Sequence, residues 1–328
     1  MPTSQYPLPS GFSRSTTSEE ALGNADLTGK LAVVTGGYAG LGLETVRVLS
    51  GAGASIIVPA RDTEKAKAAL KDLPRIEIHS FDLSNPASIN AFGREFAASH
   101  RPLDLFIGNA GIMATPLAHD DRGFERQFGT NHLGHFQLAA WLWPALKRSR
   151  NARVVALSSG AHRFSAIDFD DPNYQRRPYD AWKSYGQSKT ANALFALELD
   201  RRGVEHGVRA FSVHPGSIRT ELTRYVSDAD MEAIGFRDAD GNIPSHIAAL
   251  FKTIEQGAAT TVWCATSRQL DGMGGVYCEN VDIASLSTFA GGKADMADST
   301  KQGGVMPYAI DPVAADHLWH VSEEMLGR

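Results

Sequence analysis

The chain has 328 residues, of which 43% are hydrophobic and 21% are charged, and its formal net charge is −5. This composition suits one large globular domain and argues against nucleic-acid binding, which needs a basic surface. The two cysteines, Cys264 and Cys278, predict neither a disulfide scaffold nor a metal cluster, so we expect a cytoplasmic protein. No apolar run is long enough to predict a signal peptide or a membrane span.

The chain divides into three stretches. Residues 1–26 are polar, with one short helix expected at Ser18–Leu22, and we expect a loosely packed N-terminal arm. Residues 27–284 carry the pattern of one domain. Residues 285–328 form a C-terminal extension with glycine-rich loops, which either covers the substrate pocket or packs on the surface.

A glycine-rich turn between two short strands is the first functional motif. Lys30–Thr35 is an apolar run typical of a buried strand, and Ala54–Ala60 is a second one. Between them lie the turn Gly36–Gly42 and an expected helix, Leu43–Ser50. Strand, glycine turn, helix and strand form the βαβ unit that binds a dinucleotide.

The glycines have defined tasks in such a unit. Gly36 permits a tight turn, Gly40 lets the backbone approach a pyrophosphate, and Gly42 lets the helix pack on the strand. The helix N-terminus then presents backbone N–H groups to the anion. The spacing Thr-Gly-x-x-x-Gly-x-Gly matches G-x-G-x-x-G only loosely, so a purely structural turn is the alternative.

Strands and helices then alternate along the domain. The further expected strands are 75–81, 103–108, 152–157, 208–213 and 275–278. Two further helices are expected to begin at Asn85-Pro86 and at Tyr185. Two others are expected to cover 122–146 and 245–266. This alternation predicts an α/β fold: a doubly wound, Rossmann-like parallel sheet with helices on both faces. Ligands of such sheets bind beyond the carboxyl ends of the strands, where the sequence places Gly36, Asn109, Ser159 and Pro215.

Tyr185 and Lys189 lie four residues apart on an expected helix, so their side chains share one face. A free phenol has a pKa of about 10, and a nearby cation lowers it by stabilising the phenolate. The pair therefore predicts a tuned general acid/base. Considered without the other motifs, the same pair is explained equally well by an exposed face of an amphipathic helix.

The motifs together resemble the short-chain dehydrogenase/reductase family over about residues 27–284, and in particular its retinol-dehydrogenase-like branch with the bacterial relatives. The motifs occur in the family's order: Thr35-Gly36-x-x-x-Gly40-x-Gly42, Asp82-Leu83, Asn109-Ala110-Gly111, Asn131-x-x-Gly134, Ser158-Ser159, Tyr185-x-x-x-Lys189, and Pro215-Gly216 with Thr220.

The resemblance implies four catalytic residues. Tyr185 would protonate the substrate carbonyl during reduction, and Ser159 would orient that carbonyl. Lys189 would hold the nicotinamide ribose and lower the pKa of the tyrosine, and Asn131 would anchor a water that links Lys189 to solvent. Ser158 is adjacent and is the alternative to Ser159, which aligns with the catalytic serine of the family.

The resemblance also implies a cofactor site. The turn around the pyrophosphate would be formed by Gly36, Gly40, Leu41 and Gly42, and the adenine would be flanked by Asp82 and Leu83. The floor of the pocket would consist of Asn109, Ala110 and Gly111. The nicotinamide end would be formed by Pro215, Gly216, Ile218 and Thr220, with Tyr185 and Lys189 at the ribose.

The end of the second strand predicts NADP rather than NAD. NAD-binding folds usually place an acidic residue there to bind the ribose 2′-hydroxyl. Here the strand ends at Ala60, and Arg61 offers a guanidinium suited to a phosphate. Asp62 is the alternative acidic residue if the strand ends later, and the glycine turn lacks a second basic residue.

Apolar residues near the expected site predict a bulky apolar carbonyl or alcohol substrate under a lid at about 217–256. Core packing explains these residues almost as well. They are Tyr225, Met231, Ile234, Phe236, Ile243, Ile247 and Phe251 in the lid, and Phe164, Phe169, Tyr174 and Tyr179 before the tyrosine.

Two other functions stay open: a catalytically silent NADP(H)-binding sensor, and a reductase of activated carbon–carbon double bonds. No metal site is predicted, because His132 and His135 lack a nearby carboxylate or cysteine to complete one. The sequence leaves homo-oligomer formation open.

Overall fold

A computed structural model describes residues 3–218, 232, 240–290 and 303–328, with the side chain of residue 246 excepted. Within these residues the core is an eight-stranded sheet. Its strands are β1 Leu31–Val34, β2 Ser55–Ala60, β3 Ile76–Ser80, β4 Leu105–Gly108, β5 Ala152–Leu157, β6 Val208–His214, β9 Val276–Glu279 and β10 Asp282–Ile283, and a separate pair contains β7 Ser217–Ile218 and β8 Phe251–Lys252. The strand order in the main sheet is β10-β9-β6-β5-β4-β1-β2-β3, and only β9 and β10 pair antiparallel within it.

Helices connect the parallel strands, and one further helix precedes β1 and another follows β10. They are α1 Ser18–Leu22, α2 Gly40–Gly51, α3 Thr63–Leu70, α4 Pro86–Ala98, α5 Arg126–Phe128, α6 Gly134–Ser149, α7 Ala181–Gly203, α8 Ser245–Ala248, α9 Ile254–Thr266 and α10 Pro312–Met325. Among the described residues, no helix is long and apolar enough to cross a membrane.

The sheet is covered by helices on both faces. Alternate residues of each strand point to opposite faces, so Val34 and Val58 pack with α2 and α9, whereas Val33 and Ile57 pack with α4, α6 and α7. Burial on both faces accounts for the continuous apolar runs of the strands. The predicted doubly wound α/β fold is confirmed, and its strand order reverses between β1 and β4, where ligands bind.

Two of the expected helices differ in the structure. The helix expected over 122–146 begins at Arg126 and contains a π-helical turn, Gly129–Leu133. The single helix expected over 245–266 is wrong. Thr253 starts a new helix there, because its hydroxyl accepts from the Gln256 N–H (3.2 Å) and the Gln256 side chain accepts from the Thr253 N–H (3.1 Å).

The N-terminal arm is held firmly against the domain, so the expectation of a loosely packed leader is wrong. The Gln5 side chain donates to the carbonyls of Tyr277 (2.8 Å) and Ala284 (2.7 Å) and accepts from the Tyr277 N–H. The Asp282 carboxylate accepts from the Leu8 N–H at 2.7 Å. The sequence missed this docking because the partners are more than 270 residues away.

Three buried histidines predict that acid destabilises the fold. Burial lowers the pKa of His132 to about 3, of His135 to about 4 and of His162 to about 3. The unfolded chain binds their protons near pH 6.5, whereas the folded chain stays neutral, so stability is full above that pH and falls as pH drops towards 4. Each histidine costs about 1.4 kcal/mol per pH unit in that window.

Urea unfolding at pH 7.0 and at lower pH measures this dependence. We expect His132→Gln to reduce the pH dependence of the unfolding free energy by about 1.4 kcal/mol per pH unit, which corresponds to one proton fewer bound on unfolding. The exposed His100 is the matched control, and His100→Gln should change the slope less than His132→Gln does. An unfolding free energy that stays constant between these pH values would contradict the prediction.

Candidate active site

The predicted functional residues converge at one edge of the sheet. Gly36, Asn109, Ser159 and Pro215 follow the carboxyl ends of β1, β4, β5 and β6. These four strands are neighbours in the sheet and run parallel. The residues therefore meet along one rim although more than 170 positions separate the first from the last.

The glycine turn after β1 is shaped for a close approach by a ligand. Gly36 (φ +64°) and Gly40 (φ +51°) adopt left-handed backbone conformations that favour glycine. Helix α2 begins at Gly40, and its preceding residue, Ala39, has no side-chain cap. The first N–H groups of α2 thus lack an intrahelical partner and are suited to an anion. Leu41 lies within this first turn.

Gly42 makes the tightest contact in the turn. A Cβ at this position would lie 2.2 Å from the Gly36 carbonyl oxygen and 2.5 Å from the Asn109 amide nitrogen. We expect Gly42→Ala to destabilise the fold by about 1–3 kcal/mol, since this clash outweighs the higher helix propensity of alanine. Gly51→Ala in the same helix is the control, because nothing lies within 4 Å of its Cβ position. Equal melting temperatures of the two variants would contradict the expectation.

A buried hydrogen-bond network links this turn to the neighbouring strand end. The Thr35 hydroxyl accepts from the N–H groups of Asn109 and Ala110, both at 3.0 Å, and meets His135 Nε2 at 2.9 Å. His135 Nδ1 meets the Asn131 carbonyl at 2.9 Å, so Nδ1 carries the proton and Nε2 accepts from Thr35. Sequence reasoning identified no such role for His135, because its partner Thr35 lies 100 positions away in the chain.

Tyr185 and Lys189 share one face of α7, with the Lys189 Nζ 5.6 Å from the phenol ring centroid. Both are buried, and Nζ donates to the Leu157 carbonyl at 3.0 Å. Burial raises the pKa of Tyr185 to about 12 and lowers the pKa of Lys189 to about 8. The expected lowering of the tyrosine pKa by the lysine is therefore wrong for this structure, because burial outweighs every favourable contact of the phenolate.

The two adjacent serines have different partners. The Ser158 hydroxyl is buried and donates to the Lys189 carbonyl at 2.7 Å. The Ser159 hydroxyl is half-buried and accepts from the Ala161 N–H at 3.2 Å. Its interaction with the Tyr185 phenol lowers the pKa of the tyrosine and so opposes the rise caused by burial. Only the second serine of the pair thus faces the phenol.

Asn131 lies on the π-helical turn and is fully buried. Its amide binds both backbone groups of Ile112 at 2.9 Å and donates to the Ser188 hydroxyl at 2.9 Å. A Cβ at Gly111 would lie 3.1 Å from Asn131 Oδ1 and 3.5 Å from Lys189 Nζ. Asn131, Gly111 and Lys189 therefore border the same small volume.

The second and third strands position the expected adenine end. β2 ends at Ala60 as expected, and Arg61 is exposed directly after it. The Asp62 carboxylate accepts from the Lys65 N–H at 2.9 Å and so caps α3. The Asp82 carboxylate accepts from the N–H and hydroxyl of Ser84, while Leu83 is buried.

At the opposite end of the rim, Gly216 turns with φ +103° and its neighbour Pro215 follows β6. Ile218 pairs with Lys252 in the small sheet of β7 and β8. Thr220 lies outside the described residues, as do four residues of the expected lid, Tyr225, Met231, Ile234 and Phe236.

The aromatic residues before Tyr185 separate into two groups. Phe164 contacts Trp182 (ring centroids 6.3 Å apart), which contacts Tyr185 at 6.3 Å. The others pack elsewhere: Phe169 stacks on His317 of the C-terminal helix, and Tyr174 packs on Tyr179.

The C-terminal extension contacts the loop that carries Ser159. His162 Nδ1 meets the Ser159 carbonyl at 2.7 Å, and His162 Nε2 accepts from the Met306 N–H at 3.1 Å. The Tyr308 hydroxyl donates to the His162 carbonyl at 2.7 Å. Sequence reasoning missed His162, because two of its partners, Met306 and Tyr308, are contributed by the distant tail.

Known proteins resemble this chain in sequence and in fold. A family model described as short chain dehydrogenase matches residues 30–231. A probable oxidoreductase of Streptomyces lividans is 43% identical over 307 residues, 92% of this chain and 99% of that protein. Retinol dehydrogenase 12 of Mus musculus is 35% identical over 310 residues, 93% of this chain and 88% of that protein. A solved structure of an uncharacterised Mycobacterium paratuberculosis protein matches with a TM-score of 0.69 and 30% identity, covering 94% of this chain and 97% of that one.

Proposed function

The chain belongs to the short-chain dehydrogenase family, and we propose that it is an NADP(H)-dependent oxidoreductase of bulky apolar carbonyls or alcohols. The observation that supports this most directly is the arrangement of Ser159, Tyr185 and Lys189 around one volume beside the glycine turn. When bound, the nicotinamide supplies or accepts the hydride.

The dinucleotide fits the residues present. The uncapped N-terminus of α2 offers N–H groups to its pyrophosphate, and Gly42 keeps the turn free of a side chain. Arg61 at the end of β2 suits a 2′-phosphate, while Asp62 is engaged as the cap of α3. Asp82, Leu83, Asn109, Ala110, Gly111, Pro215, Gly216, Ile218 and Thr220 complete the proposed cofactor site.

The proton chemistry follows from burial. Tyr185 has a raised pKa, so its phenol is protonated at neutral pH and can donate to a carbonyl oxygen during reduction. Ser159 orients that oxygen from the adjacent strand end. Lys189 binds the nicotinamide ribose, and Asn131 anchors a water that links Lys189 to solvent. In the oxidative direction the Tyr185 phenolate, the form left after it has donated its proton, takes the proton from the alcohol.

A bulky apolar substrate is favoured by the rings next to the phenol, Trp182 and Phe164. The similarity to a retinol dehydrogenase supports the same substrate class, because retinol is a large apolar alcohol. Small hydroxy acids or free sugars as the best substrates would contradict this part of the proposal.

Consumption of NADPH with a panel of aldehydes and ketones, followed by the absorbance of the reduced nicotinamide, tests the function. We expect turnover with a preference for bulky apolar carbonyls and the matching alcohol as product. Cofactor binding without turnover would indicate the silent sensor, and a saturated carbonyl product from an enone would indicate the double-bond reductase.

A further inference from the structure

Two buried cations near the site have no task in the proposed reaction. Arg163 is 9% exposed and Lys252 is 8% exposed. Within the described part of the chain, the Nζ of Lys252 and the Nε and Nη1 of Arg163 have no hydrogen-bond partner. A buried charge without a partner is costly, so such a group calls for a water, a counter-ion or a ligand that satisfies it.

Both cations lie against turns that carry proposed site residues. A Cβ at Gly160, which follows Ser159, would lie 2.9 Å from Arg163 Nη2. A Cβ at Gly216 would lie 2.8 Å from the Cδ of Lys252. His214 Nδ1 joins the two turns, because it accepts from the N–H groups of Gly160 (3.0 Å) and Gly216 (3.3 Å).

A carboxylate that interacts electrostatically with both cations forms its hydrogen bond elsewhere. Glu279 at the end of β9 accepts from the Gly304 N–H at 2.7 Å. Burial raises the pKa of the Glu279 carboxyl by more than the positive charges of Arg163 and Lys252 lower it. Glu279 is therefore a weak counter-ion for the two cations. No ion pair joins it to either cation among the described residues. Arg163, Lys252 and Glu279 together thus carry more positive than negative charge.

A row of rings connects the guanidinium to the catalytic phenol. Arg163 lies 5.8 Å from the Phe289 ring centroid, and Phe289 contacts Phe164 at 6.4 Å. Phe164 contacts Trp182, and Trp182 contacts Tyr185, as described above. An apolar molecule that reacts at Tyr185 and lies along these rings reaches the Arg163 guanidinium with its far end.

We propose that Arg163 and Lys252 form an oxyanion subsite that binds a carboxylate at the far end of an otherwise apolar carbonyl substrate. This inference rests on the proposed function and makes its substrate class more specific. The planar guanidinium suits a carboxylate, and the ammonium adds a second donor. A phosphate of the cofactor has the same chemistry, so the test includes both sources.

Benzoate binding to the full chain, measured by calorimetry, tests the subsite without requiring turnover. We expect Arg163→Gln and Lys252→Met each to weaken benzoate binding by about 10- to 100-fold while NADPH binding stays unchanged. Matched controls are Arg268→Gln and Lys71→Met, at exposed positions. Lys252→Met keeps the apolar stem and carries the test by itself if Arg163→Gln does not fold.

A pair of substrates of similar shape adds a second measurement. We expect the parent to prefer a long-chain ω-oxo carboxylic acid over its methyl ester in kcat/KM, and both variants to lose this preference while reducing the ester normally. Unchanged benzoate binding in the variants, or weakened NADPH binding in place of it, would overturn the proposal. Absence of turnover with both aldehydes, together with benzoate binding that depends on Arg163, would contradict the proposed function and leave the subsite supported.

Discussion

Replacing Tyr185 with phenylalanine should lower turnover by about 10²–10⁴-fold, the contribution typical of a general acid/base. The variant keeps the ring and its contact with Trp182 and removes the hydroxyl that Ser159 faces. NADPH affinity should change little, because the proposed ribose contact belongs to Lys189. Steady-state kinetics and a direct NADPH titration measure the two quantities.

Tyr174→Phe is the matched control for this variant. Its hydroxyl is also buried and has no hydrogen-bond partner in the described part of the chain, and its ring packs on Tyr179, away from the site. Turnover should stay near that of the parent. A Tyr185→Phe variant that is as active as Tyr174→Phe would remove Tyr185 from the mechanism.

The second large effect is expected at Arg61. We expect the parent to bind NADPH more tightly than NADH, and Arg61→Ala to lose most of this preference. A charge-assisted contact of about 1.5–3 kcal/mol corresponds to roughly 10- to 150-fold in affinity. Arg61 is exposed, so solvent screening favours the lower end of that range, and rising salt should reduce the preference further.

The ratio of the NADPH and NADH dissociation constants measures this effect, with Arg94→Ala as the control at another exposed arginine. The control should keep the ratio of the parent. Tighter binding of NADH by the parent, or an unchanged ratio in Arg61→Ala, would overturn the NADP assignment.

Most of the fold could be predicted from local sequence patterns. The apolar runs, the glycine turn and the Asn85-Pro86 helix start are local signals, and β5 and α1 have the predicted bounds. The helix predictions that differ from the structure arose where a local signal competed with a helical pattern. The capping residue Thr253 and the π-helical turn at Gly129–Leu133 interrupt stretches whose composition favours one continuous helix.

The sequence by itself determined the family, the strand-end motifs and the spacing of Tyr185 and Lys189, since each depends on residues close together in the chain. Only the tertiary structure decided which serine faces the phenol and which of the aromatic residues approach it. It also decided that burial raises the pKa of Tyr185. These properties depend on long-range neighbours and on the exclusion of water, and neither is encoded in the spacing of residues along the chain.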